Sequence, residues 1–379
     1  MKIVAVFGTR PEIIRLSCVI ERLDELCDLR LVHTGQNFDP SLSDVFFEQL
    51  GIREPDRNLG VTGDRFAARV GRILEEIQGV LEEEAPDRIL VLGDTDSAMS
   101  AYVAKRMGIP VIHMEAGNRC FDDRVPEEVN RRLIDQASDV LLPYTNGSRD
   151  NLLREGFHPS QILVTGNPIK EVLDRHQQSI ADSSAIADLR VEPQGYLLLT
   201  LHRQDTTDSS ERLRSLIDEV GDAAAELEVP VIFSVHPRTR ERLEERGLGD
   251  GEDRFRLCDP FGYFDFIALM RGSRCVLTDS GTVQEECCIL RVPAITVRDA
   301  TERPETIECG SNALTGVGAG GVRRCLAWAL GSSRSWQPPP EYLATEVSAT
   351  VSAIVTGELP PAVRRGSSRV GAPPVPDAL

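Results

Sequence analysis

Residues Thr278–Glu305 read TDSGTVQEECCILRVPAITVRDATERPE. The apolar run Cys275-Val276-Leu277 predicts a strand leading into Asp279-Ser280-Gly281-Thr282, and a helix then opens with Gln284, Glu285 and Glu286. Small residues at a strand-to-helix turn leave backbone N–H groups pointing outward. The helix N-terminus adds partial positive charge, so Ser280, Gly281 and Thr282 can hold a phosphate. Glu286 lies one turn further in, where a carboxylate can accept hydrogen bonds from ribose hydroxyls. Arg303, in Thr301-Glu302-Arg303-Pro304-Glu305, is a second anion contact. Together these residues read as a nucleoside diphosphate site. Taken alone, the segment would also serve as a capped helix with a polar turn, so the surrounding chain has to decide.

Outward from this stretch, short apolar runs alternate with helical patterns. The expected strands are Ile3–Phe7, Leu29–His33, Arg88–Leu92, Val111–Glu115, Val140–Pro143 and Ile162–Thr165, then Tyr196–Leu201, Val231–Val235, Phe255–Leu257, Cys275–Thr278 and Ala294–Val297. Helical patterns such as Ile13–Leu26, Arg65–Glu84, Ser97–Met107, Ser209–Glu226, Tyr263–Met270 and Val283–Leu290 lie between them. Such alternation implies an α/β protein whose parallel sheets are covered by helices on both faces. The scheme pauses near Lys170–Gln194. The expected organisation is therefore a doubly wound, Rossmann-like domain over 1–170 carrying the acids, and a second over 171–357 carrying the nucleotide site. The two would face a cleft. The helix expected over Glu341–Val355 is a candidate to pack back on the first domain. Residues 358–379, rich in Pro, Gly, Ser and Arg, read as a flexible tail.

Composition narrows the function classes. The chain has 379 residues, 41% hydrophobic and 27% charged, with a net charge of −18. No apolar run is long enough to span a bilayer. The charge argues against a nucleic-acid or anionic-membrane partner, but a few arginines and helix N-termini can still make a cleft locally positive. Thr9-Arg10-Pro11-Glu12 follows the first apolar run at once, which reads as a strand and its turn rather than a leader. The nine cysteines are odd in number and lack CxxC spacing. A reduced, cytoplasmic protein with packed thiols is expected, and Cys287-Cys288 is read as helix packing. The six histidines have no metal-ligand spacing, and no metal or cofactor is called for.

Polar clusters recur at the C-terminal ends of predicted strands, where open α/β sheets bind ligands. Arg10 opens the first helix, beside Pro11. Gly93-Asp94-Thr95-Asp96 places a carboxylate at a buried strand end, and His113-Met114-Glu115-Ala116-Gly117 places a second. In Pro126-Glu127-Glu128, Glu127 lies in a first helical turn, where pairing with Arg131 is an alternative use. His202-Arg203 ends a strand of the second half, and His236-Pro237-Arg238 is read as structural. There is no G-x-G-x-x-G fingerprint and no Walker A sequence, which weakens nicotinamide and ATP readings. Carboxylates beside a dianionic diphosphate would be repelled if they only bound it. They make sense as proton carriers beside a neutral part of the ligand, and a sugar fits.

The same motifs, in the same order from Val6-Phe7-Gly8-Thr9-Arg10-Pro11-Glu12 to about Thr315-Gly316, resemble the non-hydrolysing UDP-N-acetylglucosamine 2-epimerases. The resemblance implies a glycosyltransferase-B-like fold, usually homodimeric. It implies removal of the C2 proton with loss of UDP to a 2-acetamidoglucal, then re-addition with reprotonation on the other face. It assigns Asp94, Glu115, Glu127 and His202 to catalysis. It assigns Arg10, Arg15, Phe266, Ser280, Gly281, Thr282, Glu286 and Arg303 to UDP, with Phe266 packing on uracil. Arg15 stands where a lysine is usual, Thr282 where a glycine is usual, and Gln204-Asp205 where an Arg/Glu–Glu run is usual. Asn118–Asp123 looks like the branch acting on 6-deoxy sugars. The expected activity is epimerisation of UDP-N-acetylglucosamine to UDP-N-acetylmannosamine. A modified UDP-2-acetamido sugar, a hydrolysing relative, a glycosyltransferase of the same fold and a catalytically inactive sensor are the alternatives.

Overall fold

Among the described residues, twelve parallel strands form two six-stranded sheets, one in each half of the chain. The structure is a computed structural model. It describes residues 1–36, 46–63, 65–207, 209–235, 237–245, 254–316, 318, 320–331 and 334–360. Most of the expected tail and His236 lie outside these residues. The first sheet contains β1 (Lys2–Phe7), β2 (Asp28–His33), β3 (Arg57–Asn58), β4 (Arg88–Leu92), β5 (Val111–Met114) and β6 (Val140–Leu142) in the order β3-β2-β1-β4-β5-β6. The second contains β7 (Leu197–Leu201), β8 (Val231–Val235), β9 (Phe255–Cys258), β10 (Cys275–Thr278), β11 (Ala294–Thr296) and β12 (Asn312–Leu314) in the order β12-β11-β10-β7-β8-β9. Counted from its own first strand, each sheet has the doubly wound 3-2-1-4-5-6 order. Each reverses direction between its first and fourth strands, β1 and β4 in one, β7 and β10 in the other.

The chain divides into two compact units, Met1–Pro168 with Glu346–Leu379, and Ile169–Thr345. The central strands are apolar because helices cover both faces: β1, β4, β7 and β10 are buried almost throughout. The helix Arg10–Leu26 buries Ile13, Leu16, Val19, Ile20 and Leu23. The final helix, Val347–Thr356, packs against it and buries Val347, Val351 and Val355 completely. Arg88, at the start of β4, donates to the carbonyls of Ile354 and Val355 near that helix's C-terminus.

Two strand assignments differ from expectation. Ile162–Thr165 follows β6 without forming a strand. Its amides at Leu163 and Thr165 donate to Leu141 O and Pro143 O, but only Ile162 makes a bridge. The edge strands β3 and β12, two and three residues long, carry no alternation of their own. The expected helix Glu341–Val355 starts later, at Val347, because Pro339 and Pro340 set up a separate 3-10 turn over Pro340–Leu343.

Candidate functional site

In the first unit the polar turns gather at the reversal point between β1 and β4. Gly8 follows β1 in a space with no room for a side chain: a Cβ there would sit 2.1 Å from Thr34 Oγ1 and 2.3 Å from Ser97 Oγ. Glu12, in the first turn of the next helix, folds back into this turn. Its carboxylate accepts from Gly8 N at 3.0 Å, Thr9 Oγ1 at 2.7 Å and Thr95 Oγ1 at 2.9 Å. Thr95 adjoins Asp94, so Glu12 ties the turn after β1 to the turn that carries a predicted acid. Burial raises the Glu12 carboxyl to about 7, against the pull of these hydrogen bonds.

Each predicted acid at a strand end is held by an arginine. Asp94 accepts from Arg131 Nη2, and Arg131 Nη1 donates to Glu128 at 2.9 Å. Glu115 adopts a left-handed backbone, φ 66°, that turns its side chain out of the line of β5. It accepts from Arg15 Nη1 and, at 3.3 Å, from Asn118 Nδ2. Both Arg15 and Glu115 are buried, and a buried carboxylate needs such a counter-charge. Arg15, a residue expected at UDP, is thus ion-paired with this acid. Glu127 is half-buried in the first turn of the helix Pro126–Ala137. Its neighbour Glu128, which the sequence did not single out, is fully buried and accepts from Cys120 N, Phe121 N, Arg131 and Arg132. Glu128 thus fixes the loop after Asn118 and, through Arg131, Asp94.

Beneath the acids lies a buried ionic network. His113 Nε2 donates to Gly93 O at 2.8 Å, and Nδ1 faces Asp135 Oδ1 at 2.9 Å. Asp135 also accepts from Arg119 Nη2 at 2.7 Å and Gly117 N at 3.2 Å. Burial pushes the Asp135 carboxyl up, but the bonds from His113 and Arg119 outweigh it and hold it below the ordinary range. One carboxylate therefore anchors both acid-bearing turns, through Gly93 next to Asp94 and through Gly117 two residues after Glu115.

The second unit repeats the plan between β7 and β10. Asp279, read from the sequence as part of a phosphate turn, instead points across to the end of β7. It accepts from His202 N and Arg203 N, and from His202 Nδ1 at 3.0 Å. Burial alone would raise its carboxyl; His202 and the two amides hold it low. This sets the His202 ring with Nδ1 on the acid and leaves Nε2 as the nitrogen for a ligand, on a side chain that is 46% exposed. Ser280 precedes the helix Gly281–Leu290 and makes no side-chain cap with it. Thr282 and Glu286 are buried in this helix. Arg303 lies against its first turn: its guanidinium carbon is 3.5 Å from where a Gly281 Cβ would be, and its Nε donates to Glu285 Oε1 at 2.6 Å. Glu285, absent from the expected set, thus aims the arginine. Glu302 is committed to Arg298 through two hydrogen bonds. Arg10 lies over the Phe46 ring at 5.6 Å in the first unit, and Phe266 is half-buried on the helix Tyr263–Gly272 in the second. Among the described residues no His, Cys, Asp and Glu cluster is arranged to hold a metal ion.

A family model described as UDP-N-acetylglucosamine 2-epimerase matches residues 21–355. The chain belongs to the UDP-N-acetylglucosamine 2-epimerase family. It is 39% identical over 350 residues to the UDP-N-acetylglucosamine 2-epimerase of Methanocaldococcus jannaschii, covering 89% of this chain and 95% of that protein. It is also 39% identical over 322 residues to the UDP-2,3-diacetamido-2,3-dideoxy-D-glucuronate 2-epimerase of Pseudomonas aeruginosa, covering 84% and 89%. The fold matches the crystal structure of the Methanocaldococcus jannaschii UDP-GlcNAc 2-epimerase in complex with UDP-GlcNAc and UDP, with a TM-score of 0.89, 37% identity and coverage of 94% of this chain and 99% of that one. A glycosyltransferase of kitacinnamycin, 12% identical with a TM-score of 0.59, shares the fold alone. The two doubly wound units of this 2-epimerase family member are of the expected glycosyltransferase-B-like fold class.

Proposed function

We propose that this chain epimerises C2 of UDP-N-acetylglucosamine to give UDP-N-acetylmannosamine. The observation that carries the reading is the different set of groups that each unit holds. One unit presents the arginine-held acids Asp94 and Glu115, and the other presents His202 on Asp279 beside the Gly281 helix terminus and Arg303. The C2–H of the sugar is not next to a carbonyl and is poorly acidic, so departure of UDP has to lower the barrier. A helix N-terminus and an arginine stabilise the leaving diphosphate. Asp94, Glu115 and Glu127 supply the proton acceptor and donor for the two faces of C2, and His202 Nε2 serves the developing charge. Arg10, Arg15, Phe266, Ser280, Gly281, Thr282, Glu286 and Arg303 make up the UDP-binding set, with Glu285 aiming Arg303. The 2-acetamidoglucal and UDP stay bound until they recombine. The reading is tested by equilibration from both sides. UDP-N-acetylglucosamine and UDP-N-acetylmannosamine should reach one common ratio with little free UDP, whereas steady release of UDP and free sugar would make the chain a hydrolase.

A C2 epimerase of a modified UDP-2-acetamido sugar is the second reading, favoured by the equal identity to the Pseudomonas aeruginosa relative. A uronate would call for a cation at C6. Arg119, in the loop that resembles the modified-sugar branch, is already matched by Asp135 and Glu155. The working form is a cytoplasmic homodimer. The neighbouring helices Ser100–Arg106 and Pro126–Ala137 expose Tyr102, Val129 and Leu133, an apolar face suited to a second copy.

A further inference from the structure

Two thiols far apart in sequence meet in the second unit. Cys288 Sγ and Cys309 Sγ are 3.6 Å apart. Cys288 is buried near the end of the helix Gly281–Leu290, and Cys309 is half-buried just past the helix Pro304–Glu308. The same two segments are joined by the ion pair of Glu285 with Arg303. Cys288 is three residues after Glu285, one helical turn along the same face, so ion pair and thiol pair lie on one seam. Trp336 backs it, donating from Nε1 to Cys288 O at 3.1 Å. An S–H shared between two sulfurs favours a thiolate on one of them. The bond from Cys288 draws the Cys309 thiol below the ordinary range against its burial, and Cys288 is correspondingly pushed up. Burial pushes the partly exposed thiols of Cys27 and Cys258 up, which makes these two poorer nucleophiles.

We propose that Cys288 and Cys309 form a reversible oxidation site for hydroperoxides, and that closing it displaces Arg303 from the Gly281 turn. The effect on ligand rests on the UDP reading above; the oxidation itself does not. The Cys309 thiolate attacks one peroxide oxygen, the O–O bond breaks, and with a proton taken up water or an alcohol leaves with a sulfenic acid on Cys309. The Cys288 sulfur then attacks the Cys309 sulfur, its proton leaves, the S–O bond breaks and water departs. Two thiols are oxidised and one peroxide is reduced. A disulfide needs sulfurs about 2 Å apart, so closure draws the segments together at the cysteine end of the seam. Arg303, six residues before Cys309 and paired with Glu285 at the other end of the seam, shifts with its segment relative to the Gly281 turn.

The test treats reduced full-length protein with one equivalent of hydrogen peroxide, blocks remaining thiols and maps peptides. UDP binding is then measured by calorimetry on the reduced, oxidised and re-reduced protein. A linked Cys288–Cys309 peptide two hydrogens lighter than the reduced pair is expected, together with a several-fold weaker UDP dissociation constant. Both should reverse with dithiothreitol, and C309S should bind UDP equally well before and after peroxide. The site is refuted if this peptide stays reduced while Cys27, Cys120 or Cys258 takes up the oxidant. Its coupling to Arg303 is refuted if the link forms and UDP binding is unchanged, or if C309S loses binding as the wild type does. Reduced protein that binds no UDP would refute the UDP reading, and the peptide map would still decide the oxidation site.

Discussion

Asp279 is the side chain whose use the sequence conceals most fully. Its letters sit in a turn that reads as phosphate-binding, while its partner His202 lies 77 positions earlier. Only the adjacency of β7 and β10 brings them together. Replacement by Asn leaves an acceptor for one of the amides but removes the charge that sets the His202 ring. kcat is expected to fall by roughly 10²–10⁴-fold with a much smaller change in KM, measured by steady-state kinetics. Glu115→Gln should lose a similar factor in kcat while UDP still binds; loss of UDP binding would show that the acid is part of the nucleotide site. Glu12 gives a separate signal. Its carboxyl is raised from 4.5 to about 7, so the native state holds a proton that the unfolded chain has released. Stability from this group is therefore greatest below 4.5 and falls as pH rises toward 7, by about 3 kcal/mol in all. Urea midpoints at pH 5 and 8 should show that fall in the wild type and lack it in Glu12→Gln. Asp135 and Asp279 have the opposite sign. Both are held below 3.8, so their contribution is complete above that value and is lost as pH falls beneath it.

At the scale of elements, the central strands were legible because burial on both faces leaves unbroken apolar runs such as Ile3–Phe7 and Ile89–Leu92. The edges were not: Arg57–Asn58 is exposed and joins the sheet only by lying beside β2. The helix Asn146–Arg154 carried a local signal that went unused, with Thr145 capping Ser148 N at 3.1 Å. Glu127 and Glu128 illustrate the same limit within a helix. Adjacent carboxylates look alike in sequence, and the packing of Arg131 and the Cys120 loop decides that Glu128 turns inward. The final helix is the element most open to test. Val347, Val351 and Val355 are fully buried, each contributing about 1.5–3 kcal/mol, and Arg88 holds the helix's last carbonyls. A chain ending at residue 345 should lose cooperative unfolding of the first unit by calorimetry while the second unit's transition persists. An unchanged first transition would contradict the packing described.

For the whole molecule, a net charge of −18 means that a nucleotide sugar meets a repulsive surface except where helix N-termini and arginines face it. The polar groups divide accordingly: acids lie at the reversal point of one sheet, and a helix N-terminus with Arg303 lies at the reversal point of the other. Assembly is a further whole-molecule property. Leu133→Glu, on the exposed face of the helix Pro126–Ala137, should shift sedimentation from dimer to monomer, and a wild type that sediments as a monomer would refute the proposed pairing. Elimination and re-addition at C2 would exchange the C2 proton with solvent. This exchange is tested most directly by proton NMR of the protein with UDP-N-acetylglucosamine in D2O. UDP-N-acetylmannosamine is expected to appear with deuterium at C2 of both sugars and little free UDP. Epimerisation with C2 protium retained, or UDP-N-acetylglucosamine left unchanged, would contradict elimination and re-addition.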